Sequence, residues 1–190
     1  MAANNKKTIA ISLGNRCSAA GWAVDNNLRE RKENGYKTCP FDLCVTNYKG
    51  VVECIKDDFK YLTSSVFLSL EYYGYKNIDV LNSYPGQLLI YNKKYNFCFN
   101  HESPCHGDLF NIQKWPNGPT HYMDDNYKFF IERYNARIEN FRNYLNDPNN
   151  HIMFLFKFDD INENSNDCLE LKNVLSNKYP KLDYSINIIP

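Results

Sequence analysis

The stretch Thr8-Ile9-Ala10-Ile11-Ser12-Leu13-Gly14-Asn15-Arg16-Cys17-Ser18-Ala19-Ala20-Gly21-Trp22-Ala23-Val24 decides how the rest of the chain is read. Residues 7–13 are mostly apolar and run into turn formers, the pattern of a short buried strand. A Gly-Asn turn follows. Cys17 then opens a small-residue run that predicts a helix over residues 17–31, with Arg29, Arg31 and Lys32 near its end and Asn34-Gly35 closing it. A strand–turn–helix unit of this kind puts one thiol at a helix N-terminus, where backbone N–H groups and the helix dipole favour a thiolate. Cys17 is therefore a candidate nucleophile. The bland alternative is a small residue filling core space.

Outward from that unit, Pro40 forces an extended predecessor, so residues 36–42 read as a loop. Thr46 is placed to cap a helix over about residues 47–60, with Val51, Val52, Ile55 and Phe59 at helical spacing. Residues 87–92 and 95–100 form a hairpin pattern, and His101 stands just past its end. Residues 102–120 are punctuated by Pro and Gly as a loop. Phe130, Tyr134, Ile138, Phe141 and Leu145 give the apolar stripe of a long helix over residues 124–146. A strand at 152–156, a polar loop at 159–167, a helix at 168–177 and a strand at 182–189 complete a βαβ-like end. The fold class expected is α/β, of the α+β kind, in one domain over residues 1–190: a core of about 8–160 and a helix–strand extension over 161–190. A flavodoxin-like α/β sandwich is the alternative architecture.

The chain has 190 residues, 43% hydrophobic and 15% aromatic, enough for a packed core. It carries 22 basic and 22 acidic residues, so neither nucleic acid nor an anionic membrane surface is an expected partner. Seven cysteines at irregular spacing do not make a disulfide framework. The polar N-terminus has no leader pattern and no run reaches membrane-spanning length, so a cytoplasmic, reducing location is expected. Phosphate loop, dinucleotide fingerprint and Gly-x-Ser-x-Gly elbow are all missing, and no cofactor is expected.

A thiol nucleophile needs an imidazole base, and the chain offers His101, His106, His121 and His151. His101, at the end of an amphipathic strand, is the preferred partner, and His106 is the reserve. Taken singly, each reads more readily as a surface or capping histidine. His101, Cys105 and His106 lie close together with Cys98 nearby, but no second ligand pair follows at zinc spacing, and no metal is expected. Asp42 is the candidate third member, with a capping carboxylate as its plain reading. Asp159 and Asp160 follow a buried strand. Glu102 is disfavoured, because adjacent strand residues point to opposite faces. The Asn15 amide, beside the Cys17 backbone N–H, is a candidate oxyanion donor. Arg133, Arg137 and Arg142 read as a solvated helix face or as a pin to an acidic loop such as that of Asp42.

Several of these segments, taken in order, resemble a known family. They are Ser12-Leu13-Gly14-Asn15-Arg16-Cys17, Pro40-Phe41-Asp42, the strand ending at His101, Tyr134-Asn135-Ala136-Arg137-Ile138 with Phe141, and Ile152-Met153-Phe154-Leu155-Phe156-Lys157. The family is the DUF1796 group, described as papain-like cysteine peptidases of unknown function, and the resemblance spans residues 8 to 160. It implies a papain-like α+β domain, with Cys17 at the nucleophile position, His101 at the histidine position and Asp42 in the Pro-Phe-Asp motif. The chain departs from the family pattern at Leu43, where a Trp is usual, at Ser103, where an aromatic follows the acidic residue, and at Lys157, where the strand tends to end in Arg. The function expected is hydrolysis of an acyl, peptide or isopeptide bond by a Cys17–His101 pair, with a protein or peptide as substrate. The alternatives are a non-catalytic interaction module using the aromatic segment 61–75 and the long helix, or an ester- or glycan-modifying hydrolase.

Overall fold

In the computed structural model, residues 6–14, 16–72, 88–106, 114–157 and 167–189 are described. The opening apolar run is strand β1, Lys7–Ser12. Its side chains alternate, Ile9 and Ile11 to one face and Ala10 to the other, and both faces are buried. β1 pairs in parallel with β5, Asn150–Phe156, which pairs in parallel with β6, Tyr184–Ile188. A second sheet is antiparallel: β2, Leu68–Tyr72, then β3, Leu88–Asn92, then β4, Phe97–Phe99.

Four α-helices are described: α1, Ser18–Asp25; α2, Tyr48–Lys56; α3, Asp124–Asn146; and α4, Asp167–Lys178. Ala19 and Ala23 let α1 lie close on the Ala10 and Leu155 face of the parallel sheet. The opposite face, with Ile9, Ile11, Ile152, Phe154 and Phe156, packs into one large core. The α3 stripe Phe130, Tyr134, Ile138, Phe141 and Leu145 enters that core, as do Ile90, Phe97 and Phe99 of the antiparallel sheet. The architecture is thus mixed α/β with two small sheets sharing one core, in keeping with an α+β papain-like domain. Among the described residues the strands do not join into the single parallel sheet of a flavodoxin-like sandwich. No helix among them is long and apolar enough to cross a membrane.

Three local expectations need correction. Helix α1 stops at Asp25, well short of residue 31. Asn27 adopts a left-handed φ of 55°, its N–H donates to Val24 O (3.0 Å) and the Leu28 N–H donates to Ala23 O (2.8 Å). That is a Schellman stop with Asn where Gly is commoner, and residues 32–34 form only a separate 3₁₀ turn. Helix α2 is capped by Asn47, whose Oδ1 accepts from the Gly50 N–H at 2.8 Å. Thr46 instead donates to Leu13 O at 3.1 Å. His101 sits in a 3₁₀ turn, Asn100–Glu102, immediately after β4. The strand argument against Glu102 therefore does not apply there. Residues 158–166, which take in Asp159, Asp160 and all of the expected 159–167 loop but Asp167, and residues 73–75 of the aromatic segment lie outside the described residues.

Candidate active site

Cys17 occupies the N-cap of α1, and it is the exposed cysteine of the seven. The chain reaches it through a turn with Gly14 at φ 115° and Arg16 at φ 67°. Gly14 is required twice over. Its φ suits glycine, and a Cβ there would overlap the Thr46 hydroxyl. The other thiols differ in kind: burial pushes Cys39, Cys44 and Cys54 well up from the ordinary thiol range, and raises Cys105 to about 11. Cys98, also buried, is raised too. Asn15 lies outside the described residues.

The segment Cys44–Thr46 ties this turn to the histidine. On one side Cys44 O accepts from the Arg16 N–H (3.2 Å) and Thr46 Oγ1 donates to Leu13 O. On the other, Val45 and Cys98 exchange both backbone hydrogen bonds, at 2.8 and 2.9 Å. The residue before Cys17 and the strand that ends just before His101 are thus fastened to the same three residues.

His101 is half-buried and its ring stacks on His106 at 5.1 Å between centroids. Burial pushes its imidazole below the ordinary histidine value. The Glu102 carboxylate opposes that shift, while His106, Arg137 and Arg133 add to it. His101 is consequently neutral at pH 7, the form a general base requires. The 3₁₀ turn is held from below by Ser103, whose Oγ accepts from the Ile90 N–H (2.8 Å) and donates to Phe99 O. The reserve histidine, His106, has Asn100 Nδ2 at 3.3 Å from its Nε2.

Asp42 is held by three hydrogen bonds in the turn that precedes Cys44. One oxygen accepts from Arg29 Nη1 at 2.8 Å; the other accepts from the Cys39 N–H at 2.7 Å and the Tyr36 hydroxyl at 3.0 Å. Carboxylate and guanidinium are both deeply buried, and Phe41 beside them is a core residue. The Pro40-Phe41-Asp42 motif is thus a locked turn leading into the Cys44–Thr46 segment.

Sequence reasoning set Glu102 aside on a strand argument that the 3₁₀ turn removes. Fully buried, Glu102 accepts from Arg137 Nη2 (2.8 Å), Arg133 Nε (3.0 Å) and the Tyr134 hydroxyl (3.2 Å). This pins the residue next to His101 to the long helix. The signal was available: Arg133 and Arg137 share a helix face at i,i+4 beside a buried tyrosine, a placement that demands an interior carboxylate. Arg142 instead pairs with Asp58 at 3.0 Å. Among the described residues no three His, Cys, Asp or Glu side chains gather as metal ligands.

No curated protein and no solved structure matches the chain. A family model described as "Putative papain-like cysteine peptidase (DUF1796)" matches residues 8–190, and so takes in both the Cys17 turn and the His101 turn as well as the last helix and strand. With nearly the whole chain covered, the protein belongs to that family.

Proposed function

We propose that this protein is a thiol hydrolase in which Cys17 is the nucleophile and His101 the base. The observation that carries the reading is that the turn leading to Cys17 and the strand leading to His101 are both hydrogen-bonded to the segment Cys44–Thr46. Three further features support it. Cys17 is exposed among thiols that are mostly buried. Cys17 stands at the N-cap of α1, the end of a helix that favours negative charge. Arg16, a non-glycine residue with φ 67°, holds left-handed backbone next to the thiol, and such strain persists where the surroundings over-determine it.

In the reaction, His101 removes the Cys17 proton and Sγ attacks the carbonyl carbon of a peptide or isopeptide bond. The oxyanion takes hydrogen bonds from the Cys17 backbone N–H and the Asn15 amide. The C–N bond breaks as the imidazolium gives its proton to the departing amine, leaving a thioester on Cys17. Water, deprotonated by His101, hydrolyses the thioester and frees the acid and the thiol. Asp42 serves by holding the turn that leads to Cys44. Glu102 serves by fixing the turn that carries His101.

An activated ester tests this directly. p-Nitrophenyl acetate should release a burst of about one equivalent of nitrophenolate per chain, absent in Cys17→Ala and much slower in His101→Ala. A chain with no burst, or a burst that survives Cys17→Ala, sinks the proposal.

A further inference from the structure

A second imidazole stands on the parallel sheet between a carboxylate and a hydroxyl. His151 of β5 pairs with Thr8 at the start of β1, whereas the chain reaches Cys17 from the other end of that strand. β5 and β6 run in register with Ile152 opposite Tyr184 and Met153 opposite Ser185. Side chains alternate along a strand, so His151 shares one face with Asp183 and Ser185. The contacts follow from that register. His151 Nδ1 lies 3.1 Å from Asp183 Oδ1, and its Nε2 lies 3.2 Å from Ser185 Oγ. The other carboxylate oxygen of Asp183 takes Lys6 Nζ at 3.0 Å. His151 and Ser185 are half-buried, so a reagent can reach the hydroxyl.

The order of partners fixes the protons. A carboxylate only accepts, so Nδ1 carries the ring hydrogen and donates it to Asp183. In the neutral ring Nε2 is then the acceptor, and the Ser185 hydroxyl donates to it. Hydrogen bonds from Lys6 and His151 hold the Asp183 carboxyl below its ordinary range, so a negative charge stands beside the ring when it gains a proton. Strand geometry supplies an oxyanion donor. Asp183 O accepts from the Ile152 N–H and the Ile189 N–H donates to Phe156 O, so the backbone groups of the odd-numbered residues of β6 face β5. Those of Ile186 face the other way, and β6 is the outer strand of its sheet among the described residues. The N–H directly after Ser185 therefore opens on the side away from His151, and the residue after a nucleophilic serine is a common oxyanion donor. Met153, half-buried opposite Ser185, gives an acyl chain an apolar neighbour.

We propose that Ser185, His151 and Asp183 form a second acyl-transfer site, which takes activated esters with a short apolar acyl group. Ser185 Oγ attacks the carbonyl carbon while His151 Nε2 takes the hydroxyl proton, and the oxyanion accepts from the Ile186 N–H. The C–O bond to the leaving group breaks as the imidazolium returns its proton to the departing alkoxide or phenoxide. Water, deprotonated by His151, then hydrolyses the ester on Ser185 and frees the acid and the serine. Neither Cys17 nor His101 takes part, so the site is independent of the thiol chemistry.

The whole chain carrying Cys17→Ala tests it, because the thiol is gone and the serine remains. A fluorescein-labelled fluorophosphonate, with its site mapped by mass spectrometry, should label Ser185 about tenfold or more faster than the other serines. p-Nitrophenyl butyrate should turn over steadily and without a burst, since at an open sheet edge acylation is the slow step. Asp183→Asn and His151→Ala, each shown folded by circular dichroism, should slow both reactions by about tenfold or more. Ser185→Ala should remove the ester turnover. Should His151→Ala fail to fold, Asp183→Asn at its half-exposed position carries the comparison. Labelling of Ser185 no faster than in the denatured chain overturns the proposal, and so does turnover that survives Ser185→Ala. Rates unchanged by Asp183→Asn reduce the three residues to a surface hydrogen-bond chain and overturn it equally.

Discussion

Asp42 is a motif residue whose carboxylate is committed to holding its own turn. Its carboxylate accepts three hydrogen bonds, from Arg29, Tyr36 and the Cys39 backbone, and its side chain is 1% exposed against 8% for Arg29. Breaking such a buried pair from one side costs about 3–5 kcal/mol, because the remaining charge is stranded. Asp42→Asn should lower the urea midpoint accordingly, while the molecules still folded keep their Cys17 reactivity. A variant as stable as wild type but with an unreactive thiol would return Asp42 to the catalytic set. Glu102 is a similar case nearer the site. Its neighbours in sequence, His101 and Ser103, explain nothing about it; the two arginines one turn apart on α3 do.

At the level of elements, helix α2 is positioned by contact with the β3–β4 turn. A Cβ on Gly50 would overlap the carbonyl oxygen of Tyr95 and come within 2.8 Å of the Phe97 ring. Gly50→Ala should therefore destabilise the fold by about 1–3 kcal/mol by overpacking, read as a lower thermal midpoint; an unchanged midpoint would mean that the helix shifts freely. The sequence made the regular elements readable where one period dominates. β1, the hairpin, the α3 stripe and the terminal βαβ unit all follow from apolar spacing. Ends were harder. Asn27 stops α1 by adopting a conformation that asparagine tolerates but does not advertise, and Thr46 and Asn47 are both plausible caps until long-range contact with Leu13 takes the threonine. The site was legible to the same extent. Cys17 stood out by its local punctuation, and the role of Glu102 depended on a partner more than thirty residues away.

For the molecule as a whole, the two sheets divide the work. The parallel sheet and α1 present Cys17; the antiparallel sheet presents His101; a single core and the Cys44–Thr46 segment hold the halves in register. The central claim is that these halves make one reactive pair. It is tested most directly by the rate of iodoacetamide alkylation at each cysteine, followed by mass spectrometry from about pH 5 to pH 8. His101 accepts a proton only while neutral, and its value lies below the ordinary 6.5. Cys17 should therefore react first among the seven thiols, with the rate falling only as the pH drops below 6.5. His101→Ala should slow it by about tenfold or more, and His106→Ala should do far less. A Cys17 that reacts no faster than in the denatured chain, or whose rate ignores His101→Ala, would contradict the account.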